Sequence, residues 1–333
     1  MNAATGSITL AGSDVTIPAL GVGTWAWGDR STWGMGGYDT ALSEGTIREA
    51  WEASIDAGAT FFDTAEVYGD GESERIIGQL LAADPDRAAK VQIATKFLPM
   101  PWKVNVRREL MASLRASLDR LGLPAVDLYQ IHGPISLRGH GALADALADA
   151  HAAGLVRAVG VSNYSVRETR SMAHALRDRG LQLATNQIEF SLLRRVPETS
   201  GLLAACADLG VVPLAYSPIG QGRLTGKYTA QNQPQGRRTF SAHPMEVVDE
   251  VVAVLRRVGE AHDGRTPSQV ALNWLIAKGA VPIPGAKNRA QAQENAGALG
   301  WSLTPAEVAE LDRAALVRLG GFAGLKTRFW QHG

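Results

Sequence analysis

The chain has 333 residues, 45% of them hydrophobic, so it can bury a large core and suits either one α/β barrel or two smaller domains. Lys and Arg together number 33, as do Asp and Glu, which argues against binding to nucleic acid or to an anionic membrane surface. The only cysteine, Cys206, rules out an intramolecular disulfide. Since the sequence shows neither a signal peptide nor an apolar run of about 18 residues, we expect a soluble cytoplasmic protein.

The chain alternates short runs rich in Val, Ile and Leu with stretches of helical periodicity, which is typical of βα units around a parallel sheet. One helical stretch starts with Ser43 as a predicted N-cap, carries Ile47, Trp51 and Ile55 on one face, and stops at Gly58. Eight apolar runs favour a closed (β/α)8 TIM barrel over an open, doubly wound sheet. The predicted strands cover residues 19–24, 59–64, 91–96, 126–132, 156–162, 183–190, 211–217 and 280–286.

Three segments lie outside this repeat. The stretch ITLAGSDVTIPAL predicts an N-terminal β-hairpin, assigned to residues 1–18, that is able to plug the bottom of the barrel. Residues 217–245 form a Gly-rich connection after the seventh predicted strand, on the face where barrel enzymes keep their chemistry. The tail, residues 317–333, either folds over the mouth or frays. No linker divides the chain, so we expect residues 1–333 to form a single domain.

Polar residues stand at the ends of consecutive predicted strands. Asp63 ends the second, Lys96 the third and His132 the fourth, and Tyr68 follows Asp63 closely. Taken singly, each has an ordinary explanation as a turn residue, a rim charge or a core histidine. Because the carboxyl ends of barrel strands share one mouth, we expect the four side chains to converge. The histidines lack paired metal-ligand spacing, so we expect no metal.

A series of motifs resembles one enzyme family. FFDTAEVYGDGESERIIG is followed by ATKF, YQIHGP, GVSNYS, NQIEFS, AYSPIGQGRLTGKY and IPGAKNRAQAQENAGAL. Together these motifs, spread over residues 15–316, resemble the aldo-keto reductases, NADPH-dependent enzymes built on a (β/α)8 barrel. The closing motif is most similar to the plant-plastid and cyanobacterial branch, which includes pyridoxal-reductase-like members. The resemblance implies that the chain reduces a small aldehyde or ketone to an alcohol with NADPH.

The resemblance also implies a catalytic tetrad. Tyr68 would give a proton to the oxygen that becomes negative as hydride reaches the carbonyl carbon. Lys96 would lower the pKa of the phenol, and Asp63 would pair with Lys96 to keep its ammonium charged. His132 would donate or relay a hydrogen bond to the substrate oxygen.

The cofactor contacts implied by the resemblance fall into three groups. The residues that match positions near the nicotinamide are Thr24, Trp25, Asp63, Ser162, Asn163, Gln187 and Tyr216, the last of which would stack on the ring. Those that match the loop over the pyrophosphate are Ser217, Ile219, Gly222, Leu224 and Lys227, where backbone N–H groups would approach phosphate oxygens. Those that match the adenosine end are Lys287, Gln291, Glu294 and Asn295.

Several residues leave alternatives open. Lys287 stands where many relatives have arginine, and we retain NADPH over NADH as the expected cofactor. Arg289 would either add to the phosphate site or serve as an exposed charge at a helix end. Five aromatic residues on predicted mouth loops would either line the substrate pocket or pack in the core. They are Trp27, Trp33, Tyr38, Trp102 and Tyr164.

Two other functions fit some of the same residues. A lysine at the end of a barrel strand, such as Lys96, can be the nucleophile of a Schiff-base aldolase. The neighbouring Asp63 argues against that reaction, because it would keep the amine protonated. The second alternative is a regulatory module that binds NADPH with little turnover.

Overall fold

The computed structural model describes residues 6–28, 42–234 and 243–316. Within these ranges an antiparallel hairpin precedes eight parallel strands, and each parallel strand pairs with the next along the chain. The strands are β1 (Ser7–Thr9), β2 (Thr16–Pro18), β3 (Gly21–Gly23), β4 (Phe61–Asp63), β5 (Gln92–Phe97), β6 (Val126–Ile131), β7 (Val156–Ser162), β8 (Leu183–Glu189), β9 (Val212–Tyr216) and β10 (Val281–Pro282). The predicted hairpin and all eight predicted strands are confirmed.

The two edges of the parallel sheet meet. Gly23 in β3 forms a parallel bridge with Gly285, just beyond β10, and the Gly23 N–H donates to the carbonyl oxygen of Pro284 at 3.0 Å. This contact joins the first barrel strand to the last. The expected (β/α)8 barrel is therefore confirmed, and the open, doubly wound sheet is excluded.

Helices lie between the strands as the periodicity predicts. The predicted N-cap is confirmed, because the Ser43 hydroxyl accepts a hydrogen bond from the Thr46 N–H at 3.2 Å and the helix that follows buries Ile47, Trp51 and Ile55. The helices are α1 (Trp25–Gly28), α2 (Glu44–Asp56), α3 (Glu72–Ala83), α4 (Pro85–Ala88), α5 (Val106–Leu121), α6 (His140–Ala152), α7 (Val166–Arg177), α8 (Val196–Thr199), α9 (Leu202–Leu209), α10 (Met245–Glu260), α11 (Pro267–Ala277), α12 (Arg289–Ala296) and α13 (Pro305–Ala314). No helix in the described part of the chain is both long and apolar enough to cross a membrane.

Barrel strands divide their side chains between two apolar cores. In β4, Phe62 faces the outer core between strands and helices, where its ring centroid lies 4.3 Å from that of Trp51. Phe61 faces the inner core inside the barrel. The interior cluster also contains Leu10 and Ile17 of the hairpin, so the hairpin plugs the end at which the strands begin. Burial of each such side chain stabilises the fold by about 1.5–3 kcal/mol. Because the hairpin closes this end of the barrel, only the opposite end remains open for chemistry.

The predicted long connection after the seventh barrel strand is confirmed where the structure describes it. The chain leaves β9 at Tyr216, forms a 3-10 helix at Gly220–Thr225 and enters α10 at Met245. Residues 235–242 of this connection lie outside the described residues, as does the tail 317–333.

Candidate active site

The strand ends bring the predicted tetrad together. Asp63 ends β4, Lys96 lies near the end of β5, and His132 directly follows β6. These strands are neighbours in the barrel, so their inward side chains reach the same mouth. Tyr68 joins them from the loop between β4 and α3.

The Lys96 ammonium is the centre of this site. Its Nζ donates to Asp63 Oδ2 at 2.6 Å, to the carbonyl oxygen of Thr64 at 2.8 Å and to Tyr68 Oη at 3.2 Å. The lysine side chain is completely buried, and these three acceptors use its three donors. A buried charge that is paired and fully hydrogen-bonded avoids the cost of an isolated ion.

The charges around Lys96 decide its protonation. Burial lowers the pKa of Lys96, but attraction to Asp63 and Tyr68 outweighs that effect and the pKa lies above its ordinary value. The amine is therefore an ammonium at neutral pH. It can stabilise negative charge on Tyr68 but is a poor nucleophile.

A tight loop holds Tyr68 over the lysine. The next residue, Gly69, has a φ of +62°, and a Cβ at that position would lie 2.1 Å from the carbonyl oxygen of Gly28. Only glycine fits this contact between the loop and α1. Lys96 Nζ contacts the phenol oxygen and also lies 4.9 Å from the ring centroid, so one cation interacts with both the hydroxyl and the ring.

Burial opposes the charge effect on Tyr68. Burial raises the pKa of the phenol and outweighs Lys96, which lowers it as expected; Asp63 raises it further, so the net pKa of Tyr68 lies above its ordinary value. The phenol thus stays protonated at neutral pH. It is a hydrogen-bond donor with a proton to give and a cation beside it to stabilise the phenolate that would remain.

His132 completes the group. Its ring centroid lies 5.8 Å from that of Tyr68, with the ring planes at 78°. Burial, and then the positive charge of Lys96, hold the pKa of His132 well below its usual range. A neutral imidazole therefore faces the mouth at neutral pH and can hydrogen-bond to a polar group without adding charge.

Gln130 also lies in this site, although it was not among the residues predicted from the sequence. Its side-chain amide donates to Asp63 Oδ1 at 3.3 Å, and Gln187 donates to the same oxygen at 2.7 Å. The signal was present, because Gln130 lies two residues before His132 and inward side chains alternate along a strand. Gln187, expected near the nicotinamide, uses its side-chain nitrogen on Asp63.

Other residues expected near the nicotinamide form a hydrogen-bond chain beside His132. Tyr216 Oη donates to Asn163 Oδ1 at 2.9 Å, and Asn163 Nδ2 donates to Ser162 Oγ at 3.1 Å and to the carbonyl oxygen of His132 at 3.4 Å. Thr24 is completely buried, and its hydroxyl donates to the carbonyl oxygen of Asp63 at 2.9 Å, while Trp25 begins α1 and is half-buried. The structure thus brings these residues together around the tetrad.

The residues expected over the pyrophosphate lie on the connection after β9. Ser217 and Ile219 precede the 3-10 helix, which contains Gly222 and Leu224. Leu224 is buried in the outer core and anchors the loop, whereas Lys227 is exposed.

The residues expected at the adenosine end surround the start of α12. Gln291 Oε1 accepts a hydrogen bond from the Lys287 backbone N–H at 3.0 Å, and Asn295 Nδ2 donates to the carbonyl oxygen of Gly285 at 3.2 Å. Glu294 accepts hydrogen bonds from Thr266 and Gln269, so its carboxylate takes part in capping α11.

The structure shows the surroundings of Arg289 and of three of the five aromatic residues for which the sequence left two roles open. Arg289 is half-exposed and lies 3.7 Å from a carboxylate oxygen of Glu52 on α2, which makes it a paired surface charge. Trp27 and Tyr164 are completely buried and pack in the outer core, whereas Trp102 is 71% exposed. Trp33 and Tyr38 lie outside the described residues. Across residues 6–28, 42–234 and 243–316, no group of three or more His, Cys, Asp or Glu side chains could hold a metal ion.

The fold and the site define a class of protein: a (β/α)8-barrel enzyme with a tyrosine, an ion-paired lysine and a histidine at the carboxyl ends of its strands. Comparison with known proteins gives the family. Residues 19–316 match the model described as the Aldo/keto reductase family. The chain belongs to the aldo/keto reductase family and is an NAD(P)H-dependent oxidoreductase.

Individual relatives agree with this assignment. The chain is 36% identical over 312 residues to the chloroplastic pyridoxal reductase of Arabidopsis thaliana, covering 90% of this chain and 84% of that protein. The solved structure of a glycerol dehydrogenase from Gluconobacter oxydans superposes with a TM-score of 0.76 at 28% identity, covering 94% of this chain and 95% of that one. An aldo/keto reductase from Klebsiella pneumoniae in complex with NADP and acetate has a TM-score of 0.71 at 27% identity, covering 95% and 97%. The resemblance inferred from the motifs is confirmed.

Proposed function

We propose that the protein reduces an aldehyde or ketone to an alcohol with NADPH, and that Tyr68 donates the proton. The observation that carries this proposal is the contact between the buried Lys96–Asp63 ion pair and the Tyr68 hydroxyl, with Lys96 Nζ 2.6 Å from Asp63 and 3.2 Å from Tyr68. A proton donor backed by a fixed cation is what carbonyl reduction needs when negative charge develops on oxygen.

The side chains around the mouth have the chemistry to hold NADPH. Asn163 offers a fixed amide to a carboxamide, since Tyr216 and Ser162 already orient it. Lys227 is exposed on the loop after β9, and Lys287 lies just before α12, so a cation lies in each of the two segments expected to contact the pyrophosphate and the 2′-phosphate. When bound, NADPH supplies the hydride. The complex of the Klebsiella pneumoniae reductase with NADP supports this choice of cofactor.

The tetrad residues have separate tasks in this reaction. Neutral His132 hydrogen-bonds to the carbonyl oxygen and orients it beside Tyr68. The Tyr68 hydroxyl gives its proton to that oxygen, so the carbonyl gains one hydride and one proton and becomes an alcohol. Lys96 stabilises the phenolate left behind, and Asp63 holds the ammonium in place. Solvent then returns a proton to Tyr68.

An assay with a panel of carbonyl compounds tests this function. Pyridoxal and methylglyoxal belong in the panel, the former because the Arabidopsis relative is named a pyridoxal reductase. We expect NADPH absorbance to fall with at least one aldehyde and an equal amount of alcohol to form. Tight NADPH binding without oxidation across the panel would instead support a regulatory module.

A second prediction concerns the choice between NADPH and NADH. Lys287→Met should weaken NADPH binding roughly fivefold to tenfold and leave NADH binding unchanged, because only NADPH carries the 2′-phosphate that this cation would meet. The matched control is Arg289→Met, which removes a neighbouring charge already paired with Glu52. Titration of each variant with both nucleotides measures the effect. Equal weakening of both nucleotides, or a larger effect of Arg289→Met, would contradict this role for Lys287.

The Schiff-base alternative is disfavoured by the charge on Lys96. The Asp63 carboxylate, 2.6 Å away, keeps the pKa of the amine above its ordinary value despite burial. Nucleophilic attack on a carbonyl needs the neutral amine. Borohydride treatment with substrate should therefore leave Lys96 unmodified.

We further propose that the chain is one barrel domain and works in the cytoplasm. The family match over residues 19–316 supports a single domain. Cys206 is buried, and burial raises the pKa of its thiol to about 12, so the thiol is unreactive. A chain with one inert cysteine suits a reducing compartment.

A further inference from the structure

The Asp63 carboxylate has two sets of partners inside the barrel. Oδ2 faces Lys96, whereas Oδ1 accepts from Gln187 at 2.7 Å and from Gln130 at 3.3 Å. Gln130 is completely buried, and Asp63 and Gln187 are almost so. The amides thus saturate the carboxylate oxygen that Lys96 does not use, at a depth that solvent does not reach.

Another side chain fixes the direction of the Gln130 amide. Thr185 Oγ1 donates to Gln130 Oε1 at 3.2 Å, so the Gln130 nitrogen is the end turned toward Asp63. Gly160 on β7 leaves room for this contact, because a Cβ there would lie 2.1 Å from Thr185 Oγ1 and 3.0 Å from Gln130 Cγ. A continuous hydrogen-bond chain therefore crosses the barrel from Thr185 on β8, through Gln130 and Asp63, to Lys96.

We propose that Gln130 is a positioning residue for the Tyr68 proton donor and acts through Asp63 and Lys96. Gln130 is too deeply buried to touch substrate, so its effect must pass through the ion pair. A carboxylate held at both oxygens keeps Oδ2 on the lysine, and the lysine keeps its third donor on the phenol. This inference rests on the proposed function of Tyr68, but part of its test requires no turnover.

Gln130→Glu provides a sharp test because it replaces a permanent donor with one that titrates. When protonated, the new carboxyl can donate to Asp63 Oδ1 as the amide does. When ionised, it faces Asp63 as a like charge within hydrogen-bond reach, so its pKa is raised and the donor is lost. We expect kcat/KM near the wild-type value at acid pH and at least about tenfold lower once the group ionises. The wild-type enzyme should lack this decline, since glutamine does not titrate and burial holds the pKa of Tyr68 above its ordinary value.

Three further variants separate positioning from general damage. Gln130→Leu should lower kcat about tenfold at every pH, and Thr185→Val should lower it less, roughly threefold. The double variant should be no worse than Gln130→Leu, because Thr185 acts only through Gln130. Gln92→Glu is the matched control: Gln92 lies on β5 and accepts from Thr60 Oγ1 at 3.0 Å, away from the tetrad, and its variant should keep the wild-type pH profile.

The outcomes are distinct. A Gln130→Glu profile that overlays that of the wild type, or is lower by one constant factor at all pH values, would overturn the inference. If thermal melting shows that Gln130→Leu does not fold, the kcat of Thr185→Val and the pH profile of Gln130→Glu test the inference instead. If no carbonyl compound is reduced, the proposed function fails. Titration of tyrosinate absorbance, with Tyr68→Phe as the reference, still tests whether Gln130 acts on Tyr68. Ionised Glu at position 130 should raise the pKa of Tyr68, and an unchanged pKa would refute the inference.

Discussion

Tyr68→Phe is expected to lower kcat for carbonyl reduction roughly 100-fold or more while NADPH still binds. The substitution removes only the oxygen that Lys96 Nζ contacts at 3.2 Å, and the ring remains to fill the loop. The proton donor acts in the transition state, so its loss should appear in kcat rather than in nucleotide affinity. Stopped-flow NADPH oxidation and a separate nucleotide titration measure the two quantities.

A matched control exists on β6. Tyr129 is completely buried, and its hydroxyl has no hydrogen-bond partner among the described residues. Tyr129→Phe therefore removes an equivalent atom without touching the site and should keep wild-type kcat. Full activity in Tyr68→Phe, or an equal loss in both variants, would refute Tyr68 as the acid.

The pH dependence of the same enzyme follows from the state of the phenol. The protonated form is the active one, so reduction should be lost as the pH rises through the pKa of Tyr68. Burial raises that pKa above the ordinary value of a tyrosine, so kcat/KM should stay level from neutral into mildly alkaline solution. A decline centred near neutral pH would show that a different group is titrating.

Lys96→Met is expected to destabilise the fold by about 3–5 kcal/mol and to reduce kcat as strongly as loss of Tyr68. The substitution leaves Asp63, which is 2% exposed, as a buried carboxylate without its cation. The double variant Asp63→Asn/Lys96→Met removes both charges and should recover most of the lost stability but none of the activity. Urea unfolding measures the first effect and NADPH oxidation the second.

Lys103→Met is a suitable comparison for the stability effect. Lys103 Nζ lies 3.4 Å from Glu66 on the same side of the barrel, but its side chain is 20% exposed. The pair is partly screened by solvent, so the loss should lie between the value of about 1 kcal/mol or less for an exposed pair and that for the fully buried Lys96–Asp63 pair. If Lys96→Met costs no more than this control, or if the double variant is as unstable as the single one, the ion pair is not what stabilises the site.

The strands, and the meeting of polar side chains at their ends, were predictable because they depend on short-range patterns. A buried parallel strand needs a continuous apolar run, and eight such runs were readable without coordinates. Asp63, Lys96 and His132 stand at the ends of three consecutive runs, and a barrel leaves those ends one common mouth. The cofactor residues were carried over from the family resemblance, and their contacts with NADPH stay predictions.

Partnerships inside the barrel were not predictable in the same way. Gln130 meets Thr185 only because β7 lies between their strands with a register shift between Val159 and Gly160, and because Gly160 has no side chain. The apolar pattern of one strand fixes which face each side chain takes, but the side chain that it meets across the barrel belongs to a segment far away in the chain. The partner of Glu294 was likewise not predictable: its carboxylate accepts a hydrogen bond from Thr266, the N-cap residue of α11.

The pattern of apolar runs thus sufficed for the barrel, and the ordered motifs sufficed for the family. The protonation of the site needed the folded molecule. Whether Tyr68 has a raised or a lowered pKa depends on the balance between burial and the charges of Lys96 and Asp63, and that balance is set by distances of a few ångströms. Electrostatic energy varies steeply with separation and with solvent exposure, and both quantities exist only once the chain has packed.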